Sequence, residues 1–546
     1  MKRYIALSLL LLTAVLSYAQ EDRAFEISKN LEVFGNVYKN IHLNYVDDID
    51  PGKTIKVAID AMLASLDPYT NYYPESDMED VKLQMLGQYG GVGSLIHSNN
   101  GKIYIAEPYK GLPADQAGLK AGDRIVAVGG ESVDGKTTAD VSAAMRGQAG
   151  TALTLTLERD GQQFDCTLTR REIQLPNVPY SGLVDDRFGY IKLNEFTQKA
   201  GSHVREAFLQ LKSQKPDMEG LILDLRGNGG GLLSEAVDIV NIFVEKGTLV
   251  VETKGKEVSR NTRSLTSRTA DDTHIPLVVL IDGYSASASE IVSGSLQDLD
   301  RAVIMGSRSF GKGLVQNILP MPYNNQLKVT VSKYYIPSGR CIQAIDYTHR
   351  DENGRATKIP DSLKVAFSTR NGRTVYDGFG IEPDVEVETE YMSSVAVELT
   401  RRFLVFDFVT DFVRHHEHIA SPSLFTVSDS LYNAFVDYLK DKDYAYTSFT
   451  ERALKELSEV AAEEHCLDPI ETQIKQIEQL LTEERKNDLW KYRDEISELL
   501  LTEILTRYYY HAGGIEGSLR FDKDVREAVQ LLSDKGRYTT ILSGKR

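Results

Sequence analysis

Four apolar runs limit the fold of this chain more than any other feature: "FGYIKLNEF" (188–196), "GLILDL" (220–225), "PLVVLID" (276–282) and "RAVIM" (301–305). The middle runs are apolar without alternation. A strand of that kind has to be covered on both of its faces, which is the condition of a parallel sheet inside an α/β domain. The segments between the runs, "GSHVREAFLQLKSQ" (201–214), "LLSEAVDIVNIFV" (232–244) and "GYSASASEIVSGSLQDL" (283–299), carry apolar residues at helical spacing. Residues 173–390 are therefore expected to form a mostly parallel, two-sided α/β sheet, with functional groups at the carboxyl ends of its strands.

The flanks are of other kinds. Residues 24–85 read as helical, interrupted at "LDPYTNYYP" (66–74). Residues 86–172 alternate as half-buried strands do, with Asp160-Gly161 as a hairpin turn and two short helices; the whole is a β-rich module of about the size of a PDZ domain. Residues 391–546 are helical and rich in mixed charge, a pattern that permits oligomerisation, covering of a site, or contact with an adaptor. The first 19 residues combine Lys2 and Arg3, an apolar stretch and Ser17-Tyr18-Ala19, the pattern of a signal peptide, so the chain is expected to be exported, with the periplasm as its location. A net charge of -17 argues against a general nucleic-acid binder, and three scattered cysteines build neither a disulfide framework nor a metal motif.

The chemistry concentrates at two strand ends. "GSRSFGKG" (306–313) resembles a phosphate-binding loop, but Gly313 stands where that loop needs a hydroxyl for magnesium, so a nucleotide site is not expected. Lys312 can instead serve as a base if it is kept neutral, with Gln316 as an uncharged partner for its amine. After "PLVVLID" comes a cluster of small hydroxyl residues where a helix begins. Ser287 there is a candidate nucleophile, and equally a helix cap, because Ser287-x-x-Glu290 fits a capping box. The glycine turn in "DLRGNGGG" (224–231) offers amide donors for an oxyanion.

Together "SASASEIVSGSLQD" and "RAVIMGSRSFGKGLVQ" resemble the carboxyl-terminal processing (tail-specific) serine proteases, which carry a PDZ domain. Further matches are "LDPYTNYYP", "GGVG" (90–93), "PADQAGLKAGDRI" (113–125), "DLRGNGGG" and "GIEPDVEV" (380–387). The resemblance implies a ClpP/crotonase-like α/β protease core (173–390) with a PDZ domain (86–172), an N-terminal helical region (24–85) and a C-terminal helical extension (391–546). It implies a Ser–Lys dyad with the nucleophile 25 residues before the lysine, which selects Ser287 over Ser285 and Ser289, and it places an assisting glutamine at Gln316. It further implies an oxyanion site made by Ala288 and a glycine of the 229–231 turn, here Gly230, and capture of a substrate's C-terminus by Gly90, Gly91, Val92 and Gly93. The expected partners are protein or peptide substrates bound through their C-termini, with no metal or cofactor. The competing expectation is a catalytically silent PDZ scaffold, and the presence of Ser287, Lys312 and Gln316 together argues against it.

Overall fold

The computed structural model describes residues 24–77, 87–388 and 390–544. The expected signal peptide lies outside these residues, as does 78–85 at the end of the expected N-terminal helical region. The chain divides into two compact units, one of residues up to Ser76 with Gln316–Thr330, the other of Asp77–Val315 with Val331–Arg546.

In the first unit, residues 24–44 are helical and a second helix spans Pro51–Ala64. Asp50 caps the second helix by accepting from the Gly52 and Lys53 amides, and Pro51 opens its first turn where no amide is needed. The "LDPYT" stretch then folds around Asp67, whose Oδ1 accepts the Tyr69 and Thr70 amides at 2.8 Å each. The strand Asn71–Tyr73 pairs antiparallel with 326–328, and the Thr330 amide donates to Thr70 Oγ1.

The second unit holds the β-rich module. Its main sheet runs in the order Ser94–Asn99, Lys102–Pro108, Arg124–Val128, Ala152–Arg159, Gln162–Thr169, so Ser94–Asn99 is an edge strand. Asp160 and Gly161 both have positive φ, as a two-residue hairpin turn with right-handed strand twist requires. Gln88–Gly91 pairs with Arg171–Gln174 where the chain enters and leaves the module. The helical segment grips the module from outside. His97 stacks on Phe403, the Tyr510 hydroxyl donates to Asp115 at 2.9 Å, and the His511 amide donates to Glu107 at 3.0 Å. Burial pushes His97 down to about 4, assisted by the Arg507 charge, so this ring is neutral.

The central sheet has the order Tyr180–Val184, Phe188–Lys192, Gly220–Asp224, Leu277–Ile281, Val303–Gly306, Val385–Glu386, parallel except for the first pair. One face packs against Ala200–Gln214, Leu233–Phe243 and Ala288–Asp298 through residues such as Phe208, Ile239 and Val292. The other face is covered from the far end of the chain: Val525, Ala528, Leu531 and Leu532 of the helix Lys523–Ser533, with Tyr538, pack on Tyr190, Ile222, Val278 and Val303. Each buried leucine or valine contributes roughly 2 kcal/mol, so apolar burial is enough to dock this helix. A separate antiparallel set places Leu249–Gly255 between Thr262–Leu265 and 332–335.

Candidate active site

Three serines stand together after the strand Leu277–Ile281, and their surroundings separate them. The Ser285 hydroxyl donates to the Leu225 carbonyl at 2.9 Å, and the Ser289 hydroxyl donates to the Asn228 carbonyl at 2.8 Å; both are fully buried. These two tie the glycine turn to the helix start. Ser287 is only half-buried and immediately precedes the helix Ala288–Asp298. Its φ of 56° is costly for a residue with a side chain, by about 1–3 kcal/mol, and strain of this kind collects at functional turns. The helix is not left to a serine cap alone. The Ser287 carbonyl accepts from the Glu290 and Ile291 amides, while the Ser287 amide donates back to the Glu290 carboxylate at 2.8 Å.

Glu290 is the hinge of the site. It is completely buried, and each of its oxygens accepts two donors. Oε1 takes the Ser309 hydroxyl at 2.5 Å and the Gly311 amide at 2.7 Å. Oε2 takes the Ser287 amide at 2.8 Å and the Lys312 amide at 2.9 Å. One carboxylate oxygen thus joins the backbone of the candidate nucleophile to that of the candidate base. Burial pushes this carboxyl up to about 6, and the four hydrogen bonds, which favour its charged form, hold it from rising further. The other side of the lysine loop is held by Gln343, whose side-chain oxygen accepts the Gly313 amide at 2.7 Å. This backbone wrapping explains the glycine where a nucleotide loop has a hydroxyl: a methyl at Gly313 would lie 2.8 Å from the Gln343 amide nitrogen.

The glycine turn lies against the same serine. Gly230 has φ of 101°, and a methyl there would sit 2.8 Å from Ser287 Cβ and 2.9 Å from the Ala288 amide nitrogen. The Gly230 amide donates to Asn228 Oδ1 at 2.9 Å. Ala288, fully buried, is the first residue of its helix, among the amides that a helix leaves without an intrahelical acceptor. Asp282 fastens the start of the turn, its two oxygens each 3.0 Å from the Gly227 amide. Gln316 belongs to the first unit, where its amide donates to Thr330 Oγ1 at 3.1 Å.

A second candidate site lies in the β-rich module, in a small groove beside the edge strand. Gly91, Val92, Gly93, Ser94, Met145 and Arg146 contribute to its lining. Gly90 faces elsewhere: its carbonyl accepts the Gly147 amide, and a methyl on it would run into the Gly147 carbonyl. Arg146, whose guanidinium lies 5.5 Å from the Tyr89 ring centre, adds a cation that no motif announced; the only hint is its place at the end of "TADVSAAM". Glu290 was legible as the last residue of a capping box, but its contacts to a loop 19 to 22 residues away were not.

Comparison with known proteins finds the model of peptidase family S41 over 187–350, a PDZ domain over 104–159, and the "probable PDZ-protease, C-terminal helical domain" over 395–532. The chain is 37% identical over 352 residues to a carboxy-terminal-processing protease of Bartonella bacilliformis, covering 63% of this chain and 79% of that one. It is 33% identical over 382 residues to a probable CtpA-like serine protease of Staphylococcus aureus, covering 69% of each. Among solved structures, the photosystem II D1 C-terminal processing protease is 26% identical, covers 65% of this chain and 92% of its own, and superposes with a TM-score of 0.36.

Proposed function

Because the chain belongs to the C-terminal processing proteases of peptidase family S41, we propose that it is an exported serine endopeptidase working through a Ser287–Lys312 dyad. The observation that carries this reading is the shared Glu290 oxygen, which holds the Ser287 and Lys312 backbones to one atom. Ser287 attacks the scissile carbonyl while neutral Lys312 takes its proton, then returns it to the leaving amine. Water hydrolyses the resulting acyl-enzyme. The Ala288 amide and the 229–231 turn stabilise the tetrahedral oxyanion, each donor being worth roughly 3–4 kcal/mol. Gly230 is the turn donor in this reading, and its amide exchanges Asn228 for the oxyanion when substrate arrives. The resemblance implies an assisting glutamine at Gln316. The resemblance that supports these roles also implies a ClpP/crotonase-like core for residues 173–390.

A fluorophosphonate probe tests the mechanism. It is expected to label the chain once, on the peptide containing Ser287. Labelling elsewhere, or none with an active enzyme, overturns the reading.

Substrate capture is assigned to the PDZ groove. The peptide adds to the edge strand Ser94–Asn99 and its terminal carboxylate meets the Gly91–Gly93 backbone and the Arg146 charge. A peptide ending in free acid should therefore be cleaved with a KM about tenfold lower than its C-terminal amide, and Arg146→Ala should narrow that difference. Equal KM values for acid and amide would remove the C-terminus from recognition. Export to the periplasm rests on the pattern of residues 1–19; among the described residues no helix is long and apolar enough to cross a membrane.

A further inference from the structure

The glycine turn beside Ser287 begins at Arg226, and the far end of the chain holds that residue. The Arg226 amide and Nε both donate to Asp224 Oδ1, at 2.9 and 3.0 Å, and its carbonyl accepts Lys192 Nζ at 2.7 Å. Asp224 is buried at the end of its strand and also accepts the Tyr190 hydroxyl at 2.7 Å. Burial alone would raise its carboxyl, but the Arg226 and Lys192 cations outweigh that and hold it well below the usual carboxylate range. Nη2 also donates to Asp224 Oδ2 at 2.6 Å, and the outer side of the guanidinium faces the C-terminal helical segment. Nη1 donates to Asp522 Oδ1 at 3.0 Å and to Asp524 Oδ2 at 2.8 Å, and Nη2 donates to Asp522 Oδ2 at 2.7 Å.

Two features make this more than a surface ion pair. The guanidinium is mostly buried, with 18% of its side chain exposed, so its charge is weakly screened. It also sits one residue before Gly227, the residue Asp282 clamps, and four before Gly230, where a methyl would collide with Ser287 Cβ. A sideways shift of Arg226 would carry straight into the turn.

We propose that Asp522 and Asp524 are positioning residues for peptide cleavage: through Arg226 they fix the backbone of the 227–231 turn that faces Ser287. This rests on the reading of that turn as the oxyanion site. The helical segment then does two separate things with one helix. Its apolar face docks on the sheet, and its first turn sets the geometry of the site.

The test uses the full chain and casein as substrate. Asp522→Asn keeps an oxygen to accept the Val525 amide, so the helix stays capped; with Asp524→Asn it removes both charges from Arg226. The double variant should lose about tenfold or more in kcat with KM within about twofold, because misplaced donors weaken the transition state and not substrate capture. Leu532→Ala is the control for plain loosening of the helix. It should lower the melting temperature but keep kcat when assayed well below that temperature. The proposal is overturned if the double variant keeps its kcat, or if Leu532→Ala loses kcat to the same degree. Ser287→Ala in the same assay keeps the two readings apart: full cleavage by that variant refutes the dyad, whatever the aspartates do.

Discussion

Ser287→Ala and Lys312→Ala should each reduce casein cleavage by at least about 10³-fold while the chain stays folded. The expectation follows from which contacts each substitution removes. The Ser287 backbone is held by its amide to Glu290 and its carbonyl to the helix and to the Tyr334 hydroxyl, and none of these bonds uses the serine hydroxyl. Alanine keeps all of them, so the serine variant should unfold within about 0.5 kcal/mol of the parent chain. The Lys312 amide likewise stays on Glu290 when the side chain is cut back. In the proposed mechanism, by contrast, activity loses its nucleophile in one case and its base in the other. Two residues that act as one unit are not additive, so the double variant should be no worse than either single one. Peptide hydrolysis at the parent rate by either purified variant would refute the dyad. In the proposed dyad the neutral form of Lys312 is the base, so kcat should rise with pH; a profile highest near pH 5 argues against a lysine.

Glu290→Gln should be nearly as damaging to activity and, unlike the first pair, should also destabilise the fold. Each carboxylate oxygen receives two donors, Ser309 and Gly311 on one, Ser287 and Lys312 on the other. A glutamine has only one oxygen, so whichever way it turns, an NH2 group confronts two donors in a buried place. Unmade buried hydrogen bonds cost about 1–3 kcal/mol each, and the displaced serine or lysine loop should lower kcat about 100-fold. Thermal melting and kcat measured together check both; parent values for either one count against the carboxylate as the hinge.

The same group sets a pH dependence whose sign can be worked out. The folded carboxyl titrates at about 6, above the ordinary glutamate value, so between the two the folded chain holds more protons than the unfolded one. Stability from this group is therefore fully present at low pH and is lost as pH rises through about 6. Acidification does not unfold the chain through Glu290; it takes away acceptor capacity, since the protonated oxygen presents an O–H to two donors. Activity should fall below about pH 6 without a matching fall in melting temperature. A kcat that is flat through that range would exclude the effect.

Several parts of this architecture were open to reading from the chain alone. Unbroken apolar strands require cover on both sides, and the chain has such strands. The Asp160-Gly161 turn could be seen because its positive φ values favour those two residues locally. Local patterns of this kind are set by backbone sterics and side-chain periodicity over a few residues. The choice among Ser285, Ser287 and Ser289 was not open to such rules, because all three are small hydroxyls at one helix start. The structure separates them by partners 60 residues away, the Leu225 and Asn228 carbonyls.

What the sequence determined by itself was four of the six strands of the central sheet and Lys312 as a candidate; Ser287 was singled out from its neighbours only through the family resemblance. Only the tertiary structure decided what surrounds the candidate sites: Glu290 reaching across to the lysine loop, Arg146 at the groove beside the edge strand, and Asp522 and Asp524 arriving at Arg226 from almost 300 residues downstream. The physical reason is range. Periodicity and turn chemistry act between near neighbours and leave a visible pattern, whereas a buried charge is stable only beside partners that the folded sheet brings to it, and nothing in its local sequence says which they will be.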